Sequence, residues 1–224
     1  MKTLPVFLFC FVVALSSCLR IAHKKHVINP YKIGDKLRPI RTDGYYYNET
    51  ESKSFPYYRN ATRGFSQDST KPYLQKQIRV LSLCKDGSLF KFGLLNGFQE
   101  NWAFDFHERC GLDDFNSVES AKRHFECYMK DQRKVHPIWD KGVFKTENDS
   151  IVVQYYVNSQ AEYFLVEKRG RILNDSSFIL TVSHDYYLKE TEHINQLYKF
   201  QHFDVKPDST NYITRHKKRF KNKN

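Results

Sequence analysis

Two His-x-x-Cys pairs hold the densest chemistry in the sequence: His107 with Cys110, and His124 with Cys127, separated by thirteen residues. Two imidazoles and two thiolates make a tetrahedral zinc donor set, and on a helix His124 and Cys127 share a face at i, i+3. The same thiols serve as the halves of a Cys110–Cys127 disulfide if the chain folds in an oxidising compartment. Closing that loop stabilises a fold by about 3 kcal/mol in the chain-entropy model. A third state leaves both as reduced thiols near an apolar face. The disulfide is the expectation carried forward, with Cys84 then odd and buried in a strand; zinc at His107, Cys110, His124 and Cys127 is the alternative, and no cofactor is expected.

Catalytic groupings are absent from the pattern. No Gly-x-Ser-x-Gly elbow occurs, and His184-Asp185 has no nucleophile motif to serve. Asp113-Asp114 precede a helical pattern, where carboxylates satisfy N-terminal amides. Glu190, Glu192 and His193 read as a solvated loop or helical turn, and no Gly-rich phosphate loop follows a strand. The expectation is a protein without catalysis.

Cys18 is the remaining reactive position. Lys2 is followed by Leu4 to Leu15, twelve residues without a charge. As a helix that run reaches about 18 Å, short of the roughly 30 Å hydrocarbon core, so it reads as an export signal. Leu15-Ser16-Ser17-Cys18 then resembles the bacterial lipoprotein signal, with small residues ahead of a Cys that takes a diacylglycerol thioether. The resemblance implies residues 1–17 as signal peptide and a lipid anchor on Cys18. Acyl chains at about 0.8 kcal/mol per buried CH₂ would hold it on a membrane. Leu19 stands where an inner-membrane retention Asp would, which implies the outer membrane; free secretion is the alternative. Sequons at Asn48, Asn60, Asn148 and Asn174 allow a eukaryotic origin, although Asn148 and Asn174 also suit turns.

These sites need elements to hold them. Aromatics are plentiful (Tyr 15, Phe 18, Trp 2) among 224 residues that are 40% apolar, too much large apolar surface for disorder. Lys+Arg 36 against Asp+Glu 25 gives +11, which suits an acidic surface as neighbour. Residues 18–36 read as a basic tether. Residues 214–224 form a basic tail that either docks on lipid phosphates or stays solvated. Basic charge concentrated in the tail, and an exported compartment with little RNA or DNA, argue against nucleic acid as a partner.

Residues 37–213 read as antiparallel sheet. Gly44 to Tyr47 starts a strand, and residues 48–76 suggest a long loop. Ile78 to Cys84 turns at Asp86-Gly87, with a type I′ turn expected, into Leu89 to Phe92. Gly142 to Thr146, Ser150 to Val157, Ala161 to Lys168, Arg171 to Leu173, Ser177 to Ser183 and Leu197 to Phe203 follow, with Arg169-Gly170 read as a turn. Residues 116–134 carry a capped amphipathic helix, with Val118, Ala121, Phe125 and Met129 on one face. Such a meander is predicted to close into a barrel or sandwich, since closure removes exposed edges. Tyr45, Tyr46, Tyr47, Tyr57 and Tyr58 either line its mouth or fill its core.

Gly44 to Tyr47, Trp139 to Asp149 and Lys206 to Asn211 resemble uncharacterised lipocalin-like lipoproteins of Gram-negative bacteria, over residues 38 to 213. The resemblance implies a mainly β, lipocalin-like barrel with one inserted helix and no catalytic residues. The protein expected is lipid-anchored in the cell envelope, with a binding or structural role. Its expected partners are the membrane, an envelope protein or a small apolar ligand.

Overall fold

Runs of Val, Tyr, Phe and Leu with polar residues between them become strands that pair in chain order. The computed structural model describes residues 20–28, 40–54, 57–60, 64–67, 70–93, 123, 126–127, 138, 141–159, 162–204, 209 and 212–220. The strands are β1 (Arg20–Ile21), β2 (Gly44–Ser54), β3 (Tyr57–Asn60), β4 (Gly64–Gln67), β5 (Tyr73–Leu83), β6 (Ser88–Gly93), β7 (Lys141–Glu147), β8 (Ser150–Ser159), β9 (Glu162–Asn174), β10 (Ser177–Asp185) and β11 (Glu190–His202). Two short helices, α1 (Tyr212–Arg215) and α2 (Lys217–Phe220), follow, and a 3₁₀ turn spans Lys24–His26.

Eight strands make the barrel. From β2 the order runs β5, β6, β7, β8, β9, β10, β11, each antiparallel to the next. β11 then returns to β2 through four register pairs, Lys199 with Tyr47 to His202 with Gly44. The expected mainly β meander thus closes as a lipocalin-like up-and-down barrel. The β3–β4 hairpin stands apart, and β1 adds a short parallel pairing to the start of β9.

One barrel end, the base, is joined by tight turns and filled with rings. Tyr46 packs 4.9 Å from Phe178 and 5.3 Å from Phe200, and Phe178 stacks on Tyr198 at 5.1 Å. The Tyr46 hydroxyl donates to the Asp175 carbonyl at 2.9 Å. Tyr45 is fully buried, its ring edge-on to Phe203 at 6.0 Å. Tyr45 and Tyr46 are therefore core residues at the base, since burying an aromatic ring contributes more than exposing it. The Tyr57 and Tyr58 side chains lie outside the described residues.

Several sequence expectations need correction. Residues 48–76 are not a loop: β2 and β5 stay paired out to Ser54 with Tyr73, and the β3–β4 hairpin lies between them. The apolar alternation fails there because the ribbon is solvated, with Glu49 and Glu51 exposed and Leu74 73% exposed. The β5–β6 turn is not type I′, because only Gly87 takes positive φ (79°). The Gly87 amide donates to Cys84 O, and Asp86 Oδ1 accepts from the Ser88 amide, the pattern of a type I turn closed by a left-handed glycine.

Glu190 to Asn195 belong to β11 rather than a loop, recruited by β10 although their side chains are mostly exposed. Of the expected helix at 116–134, Arg123, Glu126 and Cys127 are helical and the rest lies outside the described residues.

Arg169-Gly170 is no turn either. β9 runs unbroken through Gly170, beside a register irregularity between Leu180 and Val182 of β10. A Cβ at Gly170 would collide with the Ile179 carbonyl, so the glycine permits close strand approach where the wall bends. Gly170→Val is expected to destabilise the fold by about 1–3 kcal/mol as overpacking does, read as a lower urea midpoint; an unchanged midpoint would refute that role.

Candidate binding site in the barrel interior

Strand alternation sends every second residue of β9 inward. Val166, Lys168 and Ile172 face the interior, while Glu167 and Arg169 face out. Lys168 is thus a charged residue inside an apolar shell, 8% exposed. Its Nζ donates to Oε1 of buried Gln196 at 2.9 Å. Ser183, its register partner on β10, is also buried.

The local field is cationic. Desolvation pushes the Lys168 ammonium down to about 8, and Arg79 and Lys91 push the same way; Glu192 opposes them less. Arg79 and Lys91 share the inward face with Leu81, Leu83 and Leu89, and Lys91 Nζ lies 4.9 Å from the centre of the Tyr155 ring. Inward on β2, Asn48 Nδ2 donates to Leu197 O at 2.9 Å. Its Oδ1 and the Thr50 hydroxyl oxygen are buried without a hydrogen-bond partner. A buried polar atom left unpaired costs about 1–3 kcal/mol, which a ligand or water can recover. Burial also bars Asn48, the first residue of a sequon, from acting as a glycan acceptor in the folded chain.

Toward the other end, the mouth, the interior loosens. Val157, Phe164 and Ile194 are only partly buried, and Phe164 lies 5.3 Å from Tyr187. Tyr187 and Leu188, in the turn between β10 and β11, are 55% and 58% exposed. From base to mouth the interior passes from packed rings through cations to an apolar rim.

A second apolar layer lies on the outer wall. Val143, Tyr156, Tyr163 and Leu165 point outward and are covered by Val27, Ile213 and Phe220. Residues 20–28 are therefore not a solvated tether: β1 pairs with β9, and the Ala22 amide donates to Tyr163 O at 2.8 Å. Gln154, fully buried on this face, accepts from the Ile28 amide at 2.7 Å and donates to His26 O at 3.0 Å. It also donates to Glu167 Oε2 at 2.5 Å, and Arg169 holds the other carboxylate oxygen. The basic tail is likewise folded as far as Phe220, because α1 lies on β7 and α2 on the 3₁₀ turn with Ile213 and Phe220 buried. Lys218 and Arg219 remain exposed.

The sequence-predicted sites are scattered. Cys127 is disulfide-bonded, so its sulfur is not a zinc thiolate in this state. Cys110, His107 and His124 lie outside the described residues, as do Asp113-Asp114 and Cys18. Cys84 is a buried thiol. Among the described residues no group of three or more His, Cys, Asp and Glu side chains is gathered as for a metal. His184 Nδ1 lies 2.8 Å from Thr191 Oγ1 on the neighbouring strand. Sequence reasoning missed Lys168: a lone Lys between Glu167 and Arg169 looks like surface charge until β9 is known to run on through Gly170.

No protein-family model, no curated protein and no solved structure matches this chain. The class it defines is set by its own geometry: a closed eight-stranded antiparallel barrel with a laced outer wall.

Two outcomes test that wall. Gln154→Ala leaves the Ile28 amide and the His26 carbonyl without their partner and takes one of three donors from Glu167, which keeps Arg169 and Tyr186, so a loss of about 2–4 kcal/mol is expected in urea unfolding. Faster hydrogen exchange at Ala22 should accompany it. His26, whose ring lies 4.8 Å from Tyr186, is held below its usual 6.5 by desolvation and then by Lys25 and His23, against the pull of Glu167. Docking therefore favours the neutral ring: residues 20–28 should be fully protected above about pH 6.5 and progressively less as pH falls through and below it. Protection of the Ala22 amide that stays flat between pH 7.5 and 5 would contradict this.

Proposed function

We propose that this protein is an exported, lipid-anchored, non-catalytic carrier of the bacterial cell envelope, whose barrel takes up a small, largely apolar ligand. The observation that carries the reading is the interior gradient: a ring-packed base, buried polar atoms without partners, and a partly open apolar mouth. The disulfide at Cys127 fits an oxidising compartment. The Leu15-Ser16-Ser17-Cys18 sequence supports acylation at Cys18. Among the described residues no helix is long and apolar enough to cross a membrane, so in this reading the lipid does the anchoring. Only Leu19 stands between Cys18 and β1, a reach of about 7 Å at full extension, so the barrel would ride directly on the bilayer. The likeness to lipocalin-like lipoproteins belongs to the same reading.

Titration with a fluorescent apolar dye tests the carrier role: saturable binding, displaced by apolar competitors, is the expected result. An envelope scaffold with a filled interior would bind no dye and would instead yield a cross-linked protein partner from membranes. Intact mass of membrane-extracted protein tests the anchor. The expected species begins at Cys18 and carries diacylglycerol; an unmodified chain released into the medium would overturn the location.

A further inference from the structure

Residues 20–28 and 212–220 contain three and four Arg or Lys respectively, and neither stretch contains an Asp or Glu. Packing brings the two together on the outer wall, where Val27, Ile213 and Phe220 close one apolar layer and α2 meets the 3₁₀ turn. Lys25, Arg215, Lys218 and Arg219 each lie within two residues of one of those buried anchors and are exposed on the solvent side; Lys24 is half-buried. Among the described residues none of these five forms an ion pair, and the Arg219 guanidinium donates only to the neutral Tyr212 hydroxyl, at 2.9 Å. The carboxylates of β9 beneath do not answer them. Glu167 is buried and accepts from Arg169, Gln154 and Tyr186, and Glu162 stands in register with Arg20. Cations gathered in this way raise the local potential and draw an anionic surface.

We infer that this face, assembled from both ends of the fold, docks on the phosphate headgroups of an anionic bilayer. Position favours a bilayer over an acidic protein. The apolar run Leu4 to Leu15 precedes β1 by four residues, and Lys24 follows Arg20 within about 14 Å of extended chain. A cluster of basic residues beside a membrane-inserted segment is the pattern that holds anionic lipid, each charge contributing roughly fivefold. Protein interfaces, by contrast, centre on aromatic or aliphatic anchors, and no large exposed apolar side chain lies in either stretch. The inference does not rest on acylation of Cys18, because an apolar leader and an acyl chain in its place both leave the fold at this point. It goes beyond anchoring by setting which face turns to the lipid: the wall of β7 to β9 lies against the surface, and the barrel mouth opens along it.

The full chain, made without acylation, is sedimented with vesicles of phosphatidylcholine alone and with vesicles containing about one-third phosphatidylglycerol. Its apolar run contributes alike to both, so the ratio of the two partition constants reads the basic face. A preference on the order of a hundredfold for the anionic vesicles is expected, falling to near one in about 0.5 M salt. Lys25→Gln on the 3₁₀ turn and Lys218→Gln on α2 should each lose about fivefold of that preference, and together about twenty-fivefold. Lys85→Gln, an exposed charge on the β5–β6 turn, should lose less than about twofold. All three side chains are exposed, so their urea midpoints should match the parent's. Equal partition into both vesicles would overturn the inference, as would an equal loss from Lys85→Gln, which would mean a response to net charge alone. Release by millimolar glycerol 3-phosphate would mean a site for a free phosphate and overturn the bilayer. Retention on polyglutamate without vesicle binding would mean an acidic protein partner, with the same consequence. A bare Cys18 in cells would overturn the anchor and leave this result untouched.

Discussion

Four residues of β11 pair with four of β2, and the organisation of the molecule depends on that short seam. Without it the meander would be an open sheet with two unpaired edges and no inside. With it, the two-residue period of every strand becomes a distinction between interior and exterior. That distinction places Lys168 among Val166, Ile172 and Tyr198 while its neighbours Glu167 and Arg169 face out. Gly44 lies in the seam, where a Cβ would meet the Gln201 carbonyl. Closure there requires the absence of a side chain.

The outer wall follows from the same alternation. On β7, β8 and β9 the outward residues include Val143, Tyr156, Tyr163 and Leu165, which water alone would leave poorly solvated. The two chain-terminal segments cover them from opposite directions of the sequence, and α2 meets the 3₁₀ turn over the same strands. Gln154 is polar in this layer because it bonds backbone, giving Ile28 and His26 the partners a strand would otherwise supply. Three histidine rings, His23, His26 and His184, gather around Tyr186 at the edge of this contact. Of these, His26 is the ring whose protonation bears on how firmly the N-terminal segment is held.

Most of the strand order was legible in the sequence, and the reasons are local. β7, β8 and β10 alternate cleanly between turns built on Asn148 and Asn174, and Asn174 Oδ1 accepts from the Ser176 amide as expected of such a turn. Legibility failed where tertiary pairing overrode composition. Glu190 to Asn195 carry little apolar signal and are strand because β10 is beside them. Gly170 looks like a turn because glycine often marks one, yet it marks a close approach between strands. The interior cations were invisible for a further reason. Arg79, Lys91 and Lys168 come from three strands, and only closure of the barrel turns all three toward one interior. A sequence states the period of a strand but not which of its two faces will be enclosed.

The connections between strands are unequal in a way that bears on how such a protein diverges. At the base they are minimal: residues 84–87, 148–149 and 175–176 are all that join successive strands. Both long excursions of the chain, residues 55–72 and 94–140, leave from and return to the opposite rim. Chain length is thus spent at one rim, while the other is closed by short turns. Changes of length or sequence between those strands can accumulate without disturbing the seam or the stacked rings at the base, so paralogues should differ most in these two connections and least in the short turns.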